Sequence, residues 1–248
     1  MPQFGGGELY VALITGGVTG DWKYFGRTYN VSVTKEEEKV ELIDTEGDTE
    51  EVAEEVVKKK TFNASWETSN ISMETLAYAF SGGVSAQVDK TGLTETFASI
   101  NVGEIYKLAE VNVANVVVTD DGVTTTYTEG TDYSVDYGAG MITILSGGAL
   151  SDTDPLQVDY DVTATAYEKI EIGTNDLVQV ALMFKGQPKI GKRTIQEFYK
   201  ANLTSSGEIK LKDLNDFVRI SFEAKVLKDN RVTTGSEYGK IYEIMASV

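Results

Sequence analysis

Around position 32 apolar and polar side chains alternate, Val31 and Val33 to one side and Ser32 and Thr34 to the other. Strict alternation marks a strand with two unlike faces. After Glu36-Glu37-Glu38, Val40 and Leu42 resume an apolar face, so 27–43 reads as one long extended stretch. The alternation returns over 58–68, with Phe62, Ala64 and Trp66 opposed to Asn63, Ser65 and Glu67. Between them 44–55 is almost wholly acidic and polar, which predicts a mobile loop. Two strands about a polar loop make an antiparallel hairpin. About seventeen residues of strand would span roughly 58 Å at ~3.4 Å each, longer than the usual ~3–10 residues. A hairpin of that length is expected to project past its own domain and to need a partner for its bare edges.

The rest of the chain is also mostly strand. Leu9 begins an apolar run, 9–14, that stops at Gly16-Gly17. Asn70 can cap a helix running to about Phe80, with Glu74 in the first turn. Met73, Leu76, Ala77 and Phe80 fall at i, i+3, i+4 and i+7 and form its expected core face. From about 103 the texture becomes short strands, at 111–118, 124–128, 133–135, 141–145 and 156–162, with turn residues such as Asp121-Gly122, Glu129-Gly130 and Gly147-Gly148 between them. That spacing predicts a small β-sandwich inserted at 100–165, with 1–99 and 166–248 forming a discontinuous core domain. Beyond it, 167–172 and 177–184 read as a strand pair, followed by strands at 194–201, 217–227 and 238–244. The predicted fold class is mainly β, with one flanking helix, a long hairpin and an inserted sandwich.

Composition narrows the chemistry. The 248 residues include no cysteine and no histidine, which excludes disulfide frameworks, Cys/His zinc sites, Ser-His-Asp triads and Cys-His nucleophiles. No apolar run approaches the roughly 20 residues that cross a bilayer, and the first residues lack a basic-then-apolar leader, so synthesis and folding in a cytoplasm are expected. The formal charge of −17 argues against a free nucleic-acid binder, which would carry a basic patch. The same charge suits a conduit that DNA must pass without sticking, or simply solubility. Asp152-Thr153-Asp154 lacks the later spacing and distal glutamate of a calcium loop and reads as a loop brace. Gly138-Ala139-Gly140 has no following helix to receive a phosphate and reads as a hairpin turn. The basic run Lys58-Lys59-Lys60 either faces a neighbour's acidic loop or offsets glutamates of its own hairpin. Nothing marks two carboxylates in a shared cleft, as glycoside hydrolysis requires. No catalytic residue, metal or cofactor is assigned.

The order of segments carries more than any one of them. The long hairpin is followed by NISMETLAYAFSGG, then by a β insert containing YTEGTDYSVDYGAGMITIL and LQVDYD, then by VQVALMFKG. This order resembles the tail tube (major tail) proteins of long-tailed bacteriophages. Asn70, Leu76, Ala77, Ala79 and Gly82 match that family's short helix pattern, and 129–144 resembles the Ig-like module inserted in some of its members. The resemblance implies a β-sandwich or small barrel core with the helix outside a lumenal sheet. It also implies hexameric rings stacked into a tube, through which DNA passes without specific binding. Partners implied in the same way are further copies of the chain and the tape measure, tail tip and terminator proteins, with no membrane, and the location is the tail of the virion. By that carry-over the loop of the long hairpin, with Asp44, Glu46, Asp48, Glu50, Glu51, Glu54 and Glu55, reaches an adjacent ring. Ser32, Thr34, Glu36 and Glu38 are expected to face the channel. A surface-layer, adhesin or pilus-like β protein is the alternative that an Ig-like insert fits equally well.

Overall fold

The computed structural model describes residues 4–44, 51–163, 167–210, 212, 214 and 216–244. The chain divides into two compact units, one built from Met1–Val84 with Ile170–Val248 and the other from Ser85–Lys169. The fold is mainly β, made of antiparallel sheets. The second unit is wider than the expected 100–165, because a strand of Thr, Glu and Gly at 90–97, which has no clean alternation, belongs to its sheets.

The chain begins with β1 (Phe4–Thr15), β2 (Val18–Thr19), β3 (Lys23–Tyr24), β4 (Thr28–Asp44), β5 (Glu51–Thr68), α1 (Met73–Ala79) and β6 (Gly83–Ala86). The chain then passes through the second unit as β7 (Lys90–Phe97), β8 (Ile105–Lys107), β9 (Val113–Asp120), β10 (Tyr133–Asp136), β11 (Met141–Ile144) and β12 (Leu156–Val162). It closes with β13 (Glu168–Glu171), β14 (Val178–Ile190), β15 (Arg193–Ser205), β16 (Ile220–Val226) and β17 (Gly239–Ile244).

One sheet dominates the first unit. Its order is β2–β1–β14–β15–β16–β5–β4, with β3 beside β1 and β17 beside β15. It ends at β4 and does not close into a barrel. The core lies on one face, where the alternation read in the sequence delivers its apolar members. Phe222 of β16 lies directly opposite Trp66 of β5, and Ala224 opposite Ala64. Phe25 then meets both large rings edge-on, Trp66 at 5.5 Å and Phe222 at 5.2 Å between centroids. β1 begins at Phe4, well before the expected Leu9, because glycines let it lie flat on β14. A Cβ on Gly7 would stand 2.3 Å from the Phe184 ring, and one on Gly5 2.4 Å from Pro188 Cα.

Two expectations are corrected here. Helix α1 is capped by Ser72, whose Oγ accepts from Thr75 N at 3.2 Å. Asn70 instead donates through Nδ2 to the Phe25 carbonyl at 3.3 Å. The fully buried helix positions are Thr75, Ala77 and Ala79, so of the expected face only Ala77 is fully covered. Leu76 packs partly against the core, and Met73 and Phe80 are half-buried. Small side chains let this short helix approach closely, and Ser205 Oγ donates to the Ala79 carbonyl at 2.8 Å. The second correction concerns pairing. The strand near 167–172 does not pair with 177–184, because β13 pairs with β6 while β14 lies between β1 and β15.

The second unit is a sandwich of two three-stranded sheets, β10–β11–β8 and β7–β12–β9. Leu156, Val158, Tyr160 and Val162 of β12 are buried in turn and pack with Ile142, Ile144 and Val118. The expected strand at 124–128 is absent; Thr126 makes a single bridge to Thr119. Asp120 bends the chain there, its Oδ1 accepting from the Thr124 and Thr125 amides at 2.6 and 2.8 Å. A local carboxylate–amide turn of this kind competes with a ladder.

Candidate functional site

β4 and β5 form one continuous antiparallel ribbon from Thr28↔Thr68 to Asp44↔Glu51. Only the base of β5, Phe62–Thr68, is also paired to β16. Beyond Phe62 the ribbon has no further strand beside it among the described residues. The expected loop at 44–55 is therefore shorter than predicted. Asp44 and Glu51 are paired across the ribbon, and Glu54 and Glu55 pair with Leu42 and Glu41. Glu46, Asp48 and Glu50 lie outside the described residues. Backbone ladders do not require apolar side chains, and the acidic strand is held by local pairing. Glu41 faces Glu55 directly, and Lys39 offsets this like-charge pair with an ion pair to Glu55 at 2.6 Å. That contact holds the Lys39 ammonium above its ordinary range. Lys35 pairs with Glu37 at 2.6 Å and lowers its carboxyl range, chiefly through their hydrogen bond. Lys58 pairs with Glu38 at 3.2 Å, so one member of the basic run serves its own hairpin.

The two faces differ along the ribbon. The register is unbroken from Ser32↔Ser65 to Glu38↔Lys59, so Ser32, Thr34, Glu36 and Glu38 share one face with Ser65, Asn63, Thr61 and Lys59. All four of the expected channel residues are exposed, on the side opposite Ala64 and Trp66. The polar face continues over β16 as Ser221, Glu223 and Lys225 and over β15 as Asn202 and Thr204. Glu36, Glu38, Glu67 and Glu223 are interleaved with Lys59, Lys225 and Arg219, so this face is hydrophilic with a slight acidic excess.

Past a bulge between Glu38 and Lys39 the character changes. Val40 lies opposite Val56, and Leu42 is two positions further along the same face. These three side chains are 55%, 62% and 60% exposed respectively. Glu54 stands opposite Leu42 on that face, and the reverse face carries Lys39, Glu41 and Glu55 together with Val57. The distal ribbon thus carries an exposed patch of Val40, Val56 and Leu42 with Glu54 at its margin, and nothing from the described chain covers it. Val40 and Leu42 signal this in the sequence; Val56 sits among glutamates and lysines, where the period is obscured.

The other segments singled out by sequence brace loops. Asp152 accepts from Val102 N and Asp154 from Ser151 N, each at 2.8 Å. No cluster of metal-binding side chains occurs among the described residues.

A family model matches residues 2–245, nearly the whole chain. The chain belongs to the family described as protein of unknown function UCP028589. No curated protein matches it. This family member has, among the described residues, no helix long and apolar enough to cross a membrane.

Proposed function

We propose that the chain is the structural subunit of a bacteriophage tail tube, assembling in stacked rings around a channel for DNA. The observation that carries this reading is the β4–β5 ribbon, which leaves its own sheet and exposes an apolar stripe on Val40, Leu42 and Val56. Such an edge is a hazard unless another chain covers it. β4 also ends an open sheet, and joining such sheets edge to edge in a ring removes their free edges. A ring places one sheet face inward, and the face bearing Ser32, Thr34, Glu36 and Glu38 suits that position. It is hydrophilic and offers DNA phosphates no dense basic patch. The location in a virion tail, the tape measure, tip and terminator partners and the absence of catalysis belong to the same reading.

Negative-stain microscopy of the concentrated protein, alone and with a tail-tip initiator, tests it. Hollow tubes of uniform bore are expected. A compact monomer that never polymerises under either condition would refute it.

A further inference from the structure

The core face of the large sheet contains a cavity of about 280 Å³. Leu9, Val33, Trp66, Phe184 and Phe198 are among its walls, and Gln196 adds a carboxamide. These residues stand on β1, β4, β5, β14 and β15, so the cavity lies in the hollow of the curled sheet, wholly within the first unit. None of the described residues that line it is charged. Ser32 is also a wall, but its side chain turns to the opposite face, where its Oγ stands 2.9 Å from Ser65 Oγ.

Three properties of the hollow select an occupant. The first is size. Protein interiors hold few voids larger than a water molecule, and a cavity of about 150 Å³ already accepts a benzene-sized guest. The second is polarity. Each buried water needs two to four polar partners, whereas the side chains around this cavity are mainly aliphatic and aromatic. An ion would lose its hydration with no opposite charge to replace it. The third is an unmet donor. Trp66 is 2% exposed, and its indole Nε1–H has no acceptor among the described residues. Buried donors are almost always satisfied. Apolar walls with a few polar groups are the usual make-up of a small-molecule site.

We propose that this cavity is a binding site for a small neutral ligand, an aliphatic or aryl molecule that carries one oxygen acceptor of the ketone, ester or alcohol kind. Its apolar body packs against Leu9, Phe184 and Phe198, and its oxygen accepts from the Trp66 indole. The site is complete within one chain, so it goes beyond the tube reading and does not depend on it.

Prodan, a neutral naphthalene ketone whose emission moves to the blue in apolar surroundings, is titrated into the soluble chain. One prodan per chain is expected, displaced by 1-decanol and not by decanoate or decylammonium at the same concentration. Val33→Trp fills the cavity from a wall position that is 42% exposed, so it should abolish binding and keep the melting profile. Trp66→Phe keeps the test decisive if that variant folds poorly. It should weaken prodan relative to 2-ethylnaphthalene, which has no oxygen, by about two- to twelvefold, the worth of one hydrogen bond. Absence of saturable binding, full binding in Val33→Trp, equal displacement by decanoate, or an unchanged ratio in Trp66→Phe would each overturn the site. In Trp22→Phe, Trp66 is the only indole, since the chain has two tryptophans. A Trp66 emission shift seen only on polymerisation, with no probe bound by the soluble chain, would assign the hollow to a neighbouring copy and overturn the site as well. Specific binding by a chain that never forms tubes would support the site and refute the tube reading alone.

Discussion

Replacing the exposed stripe with Val40→Thr, Leu42→Thr and Val56→Thr separates folding from assembly. Threonine keeps a high strand preference, so the ribbon itself is retained. The side chains are 55%, 60% and 62% exposed, and surface changes of this kind cost within about 0.5 kcal/mol each. Association is a different matter. Fully burying a Val or Leu side chain contributes about 1.5–3 kcal/mol. These exposures leave roughly three-fifths of that to be gained on contact, or about 1–2 kcal/mol per position and ~3–5 kcal/mol for the stripe. At ~1.4 kcal/mol per factor of ten, the concentration needed for polymer rises about 100- to 3000-fold. Sedimentation of polymer from soluble chain over a concentration series reads this directly, and calorimetry of the soluble chain checks the fold. An unchanged critical concentration with an unchanged melting profile would show that the stripe takes no part in assembly.

The other predictions concern the two cores and the polar face. Phe222 is fully buried between Phe25 and Trp66, so Phe222→Ala is expected to cost about 3–5 kcal/mol. Calorimetry should show that loss in the first unit's transition only, and an equal shift in both transitions would contradict separate cores. In the second unit the Lys90 ammonium, hydrogen-bonded to Glu110, holds that carboxyl below its ordinary range. Backbone amides of Thr128 and Ala149 do the same for Asp132. Carboxyls depressed in the folded state contribute stability above the unfolded carboxylate range and lose it as pH falls through their lowered values. The second unit's melting temperature should therefore fall below about pH 4, less steeply in Lys90→Met; a pH-independent transition would exclude these contacts as contributors. Glu36→Lys with Glu38→Lys should leave tubes intact and slow DNA release from reconstituted virions, whereas unchanged release kinetics would remove those positions from the channel.

Much of this architecture is legible from period alone. Phe62, Ala64 and Trp66 alternate cleanly, and Ala64 and Trp66 enter the core with Phe62 packed against it, as do Ile220, Phe222 and Ala224. β12 is legible for the same reason. The failures have physical causes. Glu51–Glu55 reads as loop because composition mimics disorder, while the ladder to β4 is set by backbone and by lysines across the ribbon. β7 escapes notice because Thr, Gly and Glu hide which side faces the sandwich. The helix face is misjudged because a seven-residue helix wedged on a sheet buries what fits, here Thr75, Ala77 and Ala79, and not a full 3.6-residue stripe. Val40 and Leu42 announce an apolar face, but sequence cannot say that nothing among the described residues covers it.

The two kinks where β5 carries an extra residue, opposite Glu38/Lys39 and Leu42/Ile43, set how this arm can change length. Adding two residues to each strand lengthens the arm and leaves every side chain on its original side. Adding one residue to a single strand turns its outer part over, sending glutamates where valines were, unless the surplus is absorbed as another kink. Length variants of the arm should therefore differ by even steps per strand or gain a kink, which lets its reach be tuned while every side chain keeps its face.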